Sequence, residues 1–431
     1  MQNLDSKNLQ SIVMGFVREK SPLPALRILY QHFDRTFQIP LPGFRATVTG
    51  GPANNRQLLI TEREKLRWRS PDDPVTKLLR KGVLVVDGLE HDQYRKLMEP
   101  LLAPGALPNY TARMASLVDR VTASWKTGQV VDMLVECRKI TLLIIMDALF
   151  GVDFWDDLPR LWQPILKAIQ YISPGAWVLF PKLPRLGYRK DQKILDEYLY
   201  GIIQSRRSAP PRQDLLGHLI TSGLDDDSIR DQMLTMLIAG HDTTTALLAW
   251  TFYLLGKNTQ IYANLQTELD RTFETSFPSA PAGWQPELFD AVIKEALRLY
   301  PPIHLGNRRP VEDIILGGHK IPAGQRIMYS TYLTHRDPAL WENPDQFDPS
   351  HFSRGKTHQP FSYLPFGAGP RACIGAAFGM AESRIILSRL LNTFNFELIS
   401  SNVYAHMGAT LEPKPGVRMK VSRFAERELS K

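Results

Sequence analysis

Cysteine is almost missing from this chain: its 431 residues include only Cys137 and Cys373. That excludes the disulfide-stapled secreted scaffolds and points to a reducing, cytoplasmic setting. Long apolar runs are missing too. The richest, Leu142 to Val152, is interrupted by Asp147, whereas a membrane-spanning helix needs about 18 apolar residues in a row. The first ten residues, Met1 to Gln10, are polar and lack the apolar centre of a signal peptide. No transmembrane anchor is therefore expected. No internal repeat and no low-complexity linker is present. Basic residues outnumber acidic ones by 52 to 44, a formal charge of +8. They form no basic block and no nucleic-acid motif, so nucleic acid is not an expected partner. The excess reads chiefly as a solvated basic surface, with an anionic membrane or an acidic protein partner as the other readings of the charge.

What is present describes a globular, mostly helical protein. Hydrophobic residues make up 43% and charged ones 22%, the balance of a folded chain rather than a disordered one. Length alone would allow two or three domains. The pattern reads instead as one domain over residues 1–431, with a β-rich part at about 1–80 and 314–330 and a helical remainder. A helix is expected over Pro24 to Phe33, a turn at Pro40 to Gly43, a strand over Phe44 to Thr49 and a charged helical turn over Glu62 to Arg69. Asp87-Gly88 signals a turn before a helix that runs from about His91 to Pro104-Gly105. From Tyr110 to Asp270 the pattern is helical, broken at Ser173 to Gly175 and at Ser208 to Gln213. Pro301-Pro302 stops a further helix, and short strands follow at Ile314 to Leu316, Lys320 to Ile321 and Arg326 to Tyr329. The fold class expected is mainly α with small β-sheets.

The most specific stretch is Phe366-Gly367-Ala368-Gly369-Pro370-Arg371-Ala372-Cys373-Ile374-Gly375. It sets one cysteine in a glycine-rich turn before a helical pattern running from Ile374 to about Leu390. Unpaired N–H groups and the dipole at a helix start lower a thiol's pKa. The glycines leave room for a flat, bulky ligand against the backbone. Thiolate is one of the axial ligands of heme iron, which makes Cys373 a candidate iron ligand. If it holds iron, no intrachain disulfide remains possible.

Phe-Gly-x-Gly-x-Arg-x-Cys-x-Gly resembles the heme-binding loop of the cytochromes P450, the heme-thiolate monooxygenases. The resemblance extends from about Leu84 to Pro413. Ala239-Gly240-His241-Asp242-Thr243-Thr244, inside an apolar helical run from Met233 to Leu255, resembles the family's oxygen-binding groove. It implies that Thr243 positions a proton-donating water and Asp242 serves the relay. Ala239, Asp242 and Thr243 are spaced at i, i+3 and i+4, which places them on one helix face. Glu295-Ala296-Leu297-Arg298 resembles the family's Glu-x-x-Arg helix. Taken alone it would be an ordinary ion pair. In the family an arginine of a Phe-x-Pro-x-Arg-Phe segment joins it, and here His351 stands at that place, without the guanidinium fork. The resemblance further implies heme b, its propionates met by His91, Arg95, Arg308 and Arg371.

By the same resemblance the substrate pocket is lined by Leu84, Ile238, Ala239, Ile303, Leu305, Met407 and Ala409, all apolar. The aromatic stretch Phe154 to Tyr188, with Trp155, Trp162, Tyr171, Trp177 and Phe180, is either a lid or helix core plus loop. The implied activity is hydroxylation or epoxidation of a hydrophobic, terpenoid or fatty-acid-like molecule with dioxygen. Two electrons would come from a ferredoxin or flavodoxin with its NAD(P)H reductase. A peroxide-driven enzyme or isomerase on the same fold, and a non-catalytic heme sensor or carrier, are the rival expectations. The acid–threonine pair argues against both.

Overall fold

The computed structural model describes residues 21–41, 44–68, 70–175, 185–273 and 286–424. Met1 to Gln10, Trp177 and Phe180 lie outside them, as does part of the turn expected at Pro40 to Gly43. The described helices of more than five residues are α1 (Leu23–His32), α2 (Pro74–Leu79), α3 (Gly88–Leu102), α4 (Pro108–Thr122), α5 (Met133–Phe150), α6 (Leu158–Ile172), α7 (Arg189–Arg207), α8 (Leu215–Thr221), α9 (Asp226–Lys257), α10 (Thr259–Phe273), α11 (Glu287–Leu299) and α12 (Ala376–Thr393). The protein is mainly α with small sheets. Among the described residues no helix is long and apolar enough to cross a membrane.

Local chemistry explains where the central helices begin and end. The Asp225 carboxylate accepts from the Ser228 N–H at 2.7 Å and caps α9, with Asp226 and Asp227 in its first turn. Negative charge there complements the helix dipole. Asp132 caps α5 by accepting from the Leu134 N–H at 3.0 Å. Gly151, in the left-handed region at φ 61°, ends it. Apolar residues surround most of α5 and α9, so both sit at the centre and pack on one another. Their approach explains Gly240: a Cβ there would stand 2.7 Å from the Ile145 Cδ1.

The strands are β1 (Thr36–Leu41), β2 (Phe44–Thr49), β3 (Leu66–Arg67), β4 (Val130–Asp132), β5 (Leu305–Pro310), β6 (Ile314–Leu316), β7 (His319–Ile321), β8 (Arg326–Ser330), β9 (Phe394–Leu398), β10 (Tyr404–Met407), β11 (Leu411–Lys414) and β12 (Arg418–Arg423). The main sheet has the order β1-β2-β8-β5-β3. Its β2 and β8 pair in parallel, Ala46 opposite Arg326. Three departures from the sequence expectation stand out. In the charged turn expected at Glu62 to Arg69, Arg63–Lys65 form a short 3-10 turn followed by β3, which is anchored by Leu66 buried in the sheet's core, and Arg69 lies outside the described residues. The helical stretch 110–270 contains β4, which edges a small sheet with β12 and β9. In the main sheet, β5 lies outside the β-rich ranges read from the sequence.

Candidate active site

The Cys373 loop is built from backbone hydrogen bonds. The Cys373 N–H donates to the Phe366 carbonyl at 2.8 Å and the Gly367 N–H to that of Leu364 at 3.0 Å. Gly367 and Gly369 hold φ 68° and 69°. A Cβ on Gly369 would stand 2.6 Å from the Leu59 carbonyl oxygen. The helix after the loop begins at Ala376 with Gly375 as its N-cap, two residues later than its pattern suggests. Burial pushes the Cys373 thiol's pKa up, against the pull of the Gly375 N–H and of Arg95. Helix-start geometry alone predicts the reverse; desolvation outweighs it. Yet Cys373 has accessible surface. A bound metal is what deprotonates such a thiol outright.

Helix α9 passes next to α12; a Cβ on Gly379 would lie 3.8 Å from the Thr244 hydroxyl. In the buried middle of α9, Ala239, Gly240 and Thr243 are partly accessible. The Thr243 hydroxyl donates to the Ala239 carbonyl at 2.8 Å. Asp242 does not share this open face. It is 2% exposed, and its carboxylate accepts from Arg138 Nη2 and from the Thr410 hydroxyl, each at 2.8 Å. The spacing that groups Asp242 with Thr243 is right along the helix. The ion pair to α5 decides where the acid points.

Cationic groups converge before the loop. Arg95 Nη1 donates to the Ala372 carbonyl at 2.6 Å. Arg371 donates to the Val86 carbonyl and to Asp87. Arg308 is 5% exposed and lies 4.4 Å over the Trp68 ring, with Arg371 5.5 Å from it. His91 is buried, and its Nδ1 is 2.8 Å from Asp92 Oδ1. Burial lowers its pKa, and Arg371 and Arg95 add to this against the opposing pull of Asp92. Three guanidiniums and an imidazole near one another, with Asp87 and Asp92 as counter-charges, suit a dianionic ligand edge. A heme with two propionates fits this donor set and the accessible thiol.

Glu295, Arg298 and His351 meet. Arg298 donates to both Glu295 oxygens at 2.7 Å, both residues are fully buried, and His351 Nδ1 is 3.2 Å from Glu295 Oε1. That contact raises the His351 pKa against the effect of burial. Of the apolar candidates, Leu84, Ala239, Leu305, Met407 and Ala409 are partly accessible and Ile303 is 44% exposed. Ile238 is buried in the core at 5%, so it backs the pocket instead of lining it. Trp155, Trp162 and Tyr171 pack against the main core, which favours helix core over a lid for those three.

Two features escaped the sequence reading. Arg138 joins Asp242 to Glu412, across 104 and 274 residues. Glu382 is wholly buried in α12, and neither of its carboxyl oxygens has a hydrogen-bond partner. Burial pushes its pKa up to about 8, with the nearby Thr244 hydroxyl working weakly against it. A carboxyl with a raised folded pKa supports the fold below its unfolded value and loses that support as pH climbs to the folded one. Glu382→Gln should therefore gain stability over the parent between pH 4.5 and 8, reaching a difference of order 3–5 kcal/mol at alkaline pH. Denaturant midpoints at pH 5 and pH 9 check this; parallel midpoints at the two pH values would contradict it.

Comparison with known proteins places nearly the whole chain in one family. The family model for cytochrome P450 matches residues 11–417. Cyclooctatin synthase of Streptomyces melanosporofaciens is 30% identical over 84% of this chain and 81% of its own. Cyclooctat-9-en-7-ol 5-monooxygenase of the same organism is 29% identical over 86% and 84%. Among solved structures, the cytochrome P450DA heme domain superposes with a TM-score of 0.83 at 24% identity, covering 97% of this chain and 95% of that one. Retinoic-acid-bound cyanobacterial CYP120A1 superposes at 0.81 and 26% identity, covering 92% and 93%. An accessible thiol in a glycine loop, a cationic cluster fitted to propionates and a matching family model over nearly the whole chain lead to one assignment: the chain belongs to the cytochrome P450 family, the heme b oxidoreductases with thiolate-ligated iron.

Proposed function

We propose that this enzyme hydroxylates or epoxidises a terpenoid-sized hydrophobic substrate, using electrons from a separate ferredoxin or flavodoxin. The reading rests on Leu84, Ile303, Leu305, Met407 and Ala409, the positions that the family resemblance assigns to the pocket: all five are apolar and each keeps accessible surface. Such a wall binds by excluding water and offers no clamp for an anion deep in the pocket. Relatives named for cyclooctat-9-en-7-ol and 11-oxo-beta-amyrin favour a terpenoid over a fatty acyl chain.

Heme, when bound, supplies the oxygen-activating chemistry. Cys373 would hold its iron, and His91, Arg95, Arg308 and Arg371 would receive its propionates. Thr243 gives its hydroxyl proton to the Ala239 carbonyl, which leaves the oxygen lone pairs to accept a hydrogen bond from a water in the cavity. Asp242 is the nearby acid on the same helix for that water's proton. A recess of about 450 Å³ lined by Asp92, Arg95, Lys96, Glu99, Pro100 and Pro370 lies on the loop side of α3, where an electron carrier would come near Cys373. Its mixed charges suit a partner with a mixed or acidic face.

The test is a Soret titration of the ferric protein. Terpenoids should displace water from the iron and give a low-to-high-spin shift, with fatty acids weaker. A shift with fatty acids alone would overturn the terpenoid class. No shift with any apolar ligand, in a protein with a normal heme-thiolate spectrum, would overturn the apolar-pocket reading.

A further inference from the structure

We infer that Thr410 is a positioning residue for Asp242, and that through it occupancy of the substrate pocket governs how firmly the acid is held. The inference rests on the proton-handling role proposed for Asp242.

Both carboxylate oxygens of Asp242 are committed, one to Arg138 on α5 and one to Thr410. These two bonds differ in what stands behind them. Arg138 is buried on a central helix and is itself held by Glu412. Thr410 sits at the tip of the β10–β11 hairpin, next to Ala409 and three residues from Met407. Both are walls of the proposed pocket.

The hairpin has a fixed part and a tip. Leu411 is pinned twice: its N–H donates to the Pro302 carbonyl at 2.9 Å, and its carbonyl accepts from Trp250 Nε1 at 2.7 Å. Trp250 stacks on Tyr300 at 3.6 Å. The tip folds on itself through the Gly408 N–H, which lies within hydrogen-bond reach of the His406 carbonyl at 3.1 Å and the Thr410 carbonyl at 3.0 Å. The Ala409 N–H donates to the Ser173 hydroxyl at the end of α6, at 3.0 Å. A ligand that presses on Met407 and Ala409 therefore turns the tip about Leu411, and Thr410 is the first residue on the moving side. Its hydroxyl is 2.8 Å from Asp242, so a shift of about an ångström breaks that bond.

The charges around the acid agree with a hold that can be relaxed. Arg138 faces it from α5 and is shared with Glu412 on β11; Lys414 pairs with Glu412, and His406 on β10 and His241 on α9 feel the Glu412 charge. Burial keeps His241 neutral, its pKa lowered to about 3. With Glu412 sharing Arg138, the guanidinium divides its charge between two carboxylates. Asp242 then leans on Thr410 more than an exclusive ion pair would require. An empty pocket keeps the acid latched and proton delivery slow; an occupied one frees it.

The test compares Thr410→Val, Thr410→Ser, Asp242→Asn and the parent as holoenzymes with a surrogate carrier system. The ligand probe is the compound giving the largest spin shift. Thr410→Val should raise substrate-free NAD(P)H consumption and peroxide release roughly ten- to a hundred-fold, the weight of one hydrogen bond to a charged group. The gap between substrate-free and substrate-bound solvent isotope effects should shrink with it, and Thr410→Ser should restore parental behaviour. If Asp242→Asn alters the isotope effect but Thr410→Val leaves leak and isotope effect at parental values, the latch is overturned. If Asp242→Asn is itself without effect, the underlying role of the acid fails. Should Thr410→Val lose its native heme spectrum, Thr410→Ala and Ser173→Ala carry the comparison. An unchanged leak in both would equally overturn the inference.

Discussion

Arg298→Ala should be the most destabilising single change in this protein, costing about 3–5 kcal/mol and the ability to keep heme. The guanidinium is fully buried and saturated. It donates to both oxygens of Glu295 at 2.7 Å, to the carbonyls of His335 and Pro344 at 2.8 and 2.7 Å, and to that of Gln346 at 3.0 Å. It also lies 5.1 Å over the Trp341 ring. Truncation strands the Glu295 carboxylate without its main counter-charge and removes the donor that gathers two segments after β8, at His335 and at 344–346. That stretch leads to the thiol loop. His335 Nδ1 is 3.2 Å from the Arg298 carbonyl, its Nε2 accepts from the Leu364 N–H at 2.8 Å, and Leu364 accepts from Gly367. The damage should reach Cys373. Urea midpoints and the heme-to-protein ratio after gel filtration measure both effects. Normal heme retention with an unchanged midpoint would show that the buried pair is not the organising contact. Arg298→Lys should rescue little, because one ammonium cannot reproduce the fork.

Cys373→Ser should abolish thiolate ligation and lower monooxygenase turnover by at least about 10³-fold, roughly 4 kcal/mol in the barrier. Thiolate donation favours O–O cleavage, and a neutral hydroxyl does not supply it. The carbon-monoxide difference spectrum is the direct reading. Cys137→Ser is the control. Cys137 is fully buried in α5 and burial raises its pKa far above the ordinary range, so it cannot act as a thiolate at neutral pH. Its replacement should leave the spectrum intact. A retained thiolate spectrum in Cys373→Ser would overturn the ligand assignment.

The Cys373 loop was legible in the sequence because its chemistry is local: ten consecutive residues hold the thiol, the glycines and the helix start. The long helices were legible for a similar reason, since stops such as Pro301-Pro302 lie beside the residues they act on. What escaped was non-local. β3 has two residues and β4 three, too short for alternation to register. β5 reads Leu-Gly-Asn-Arg-Arg-Pro, with no β-branched residue, and is a strand because β8 and β3 flank it. The partner of Asp242 could not be read from spacing along α9, since Arg138 arrives from another helix. One signal was available: Glu382 is the only acidic residue in the pattern after Cys373 through Leu390, and an acid on a core helix invites the question of what it meets.

The pairing of β2 with β8 sets a timetable. Ala46 lies opposite Arg326, 326 − 46 = 280 residues later. At about 5–20 residues per second, a ribosome takes roughly 14–56 s to make that stretch. For that time the β1–β2 hairpin leaves the tunnel with one edge unmatched, open to a strand from another chain. The helices between can condense early, being rich in contacts between near neighbours, while the main sheet and the thiol loop beyond it close last. Cofactor capture thus comes after nearly all of the described fold has been synthesised, and a message truncated before codon 326 would yield chains whose exposed β2 edge makes them aggregate rather than remain as dissolved apoprotein.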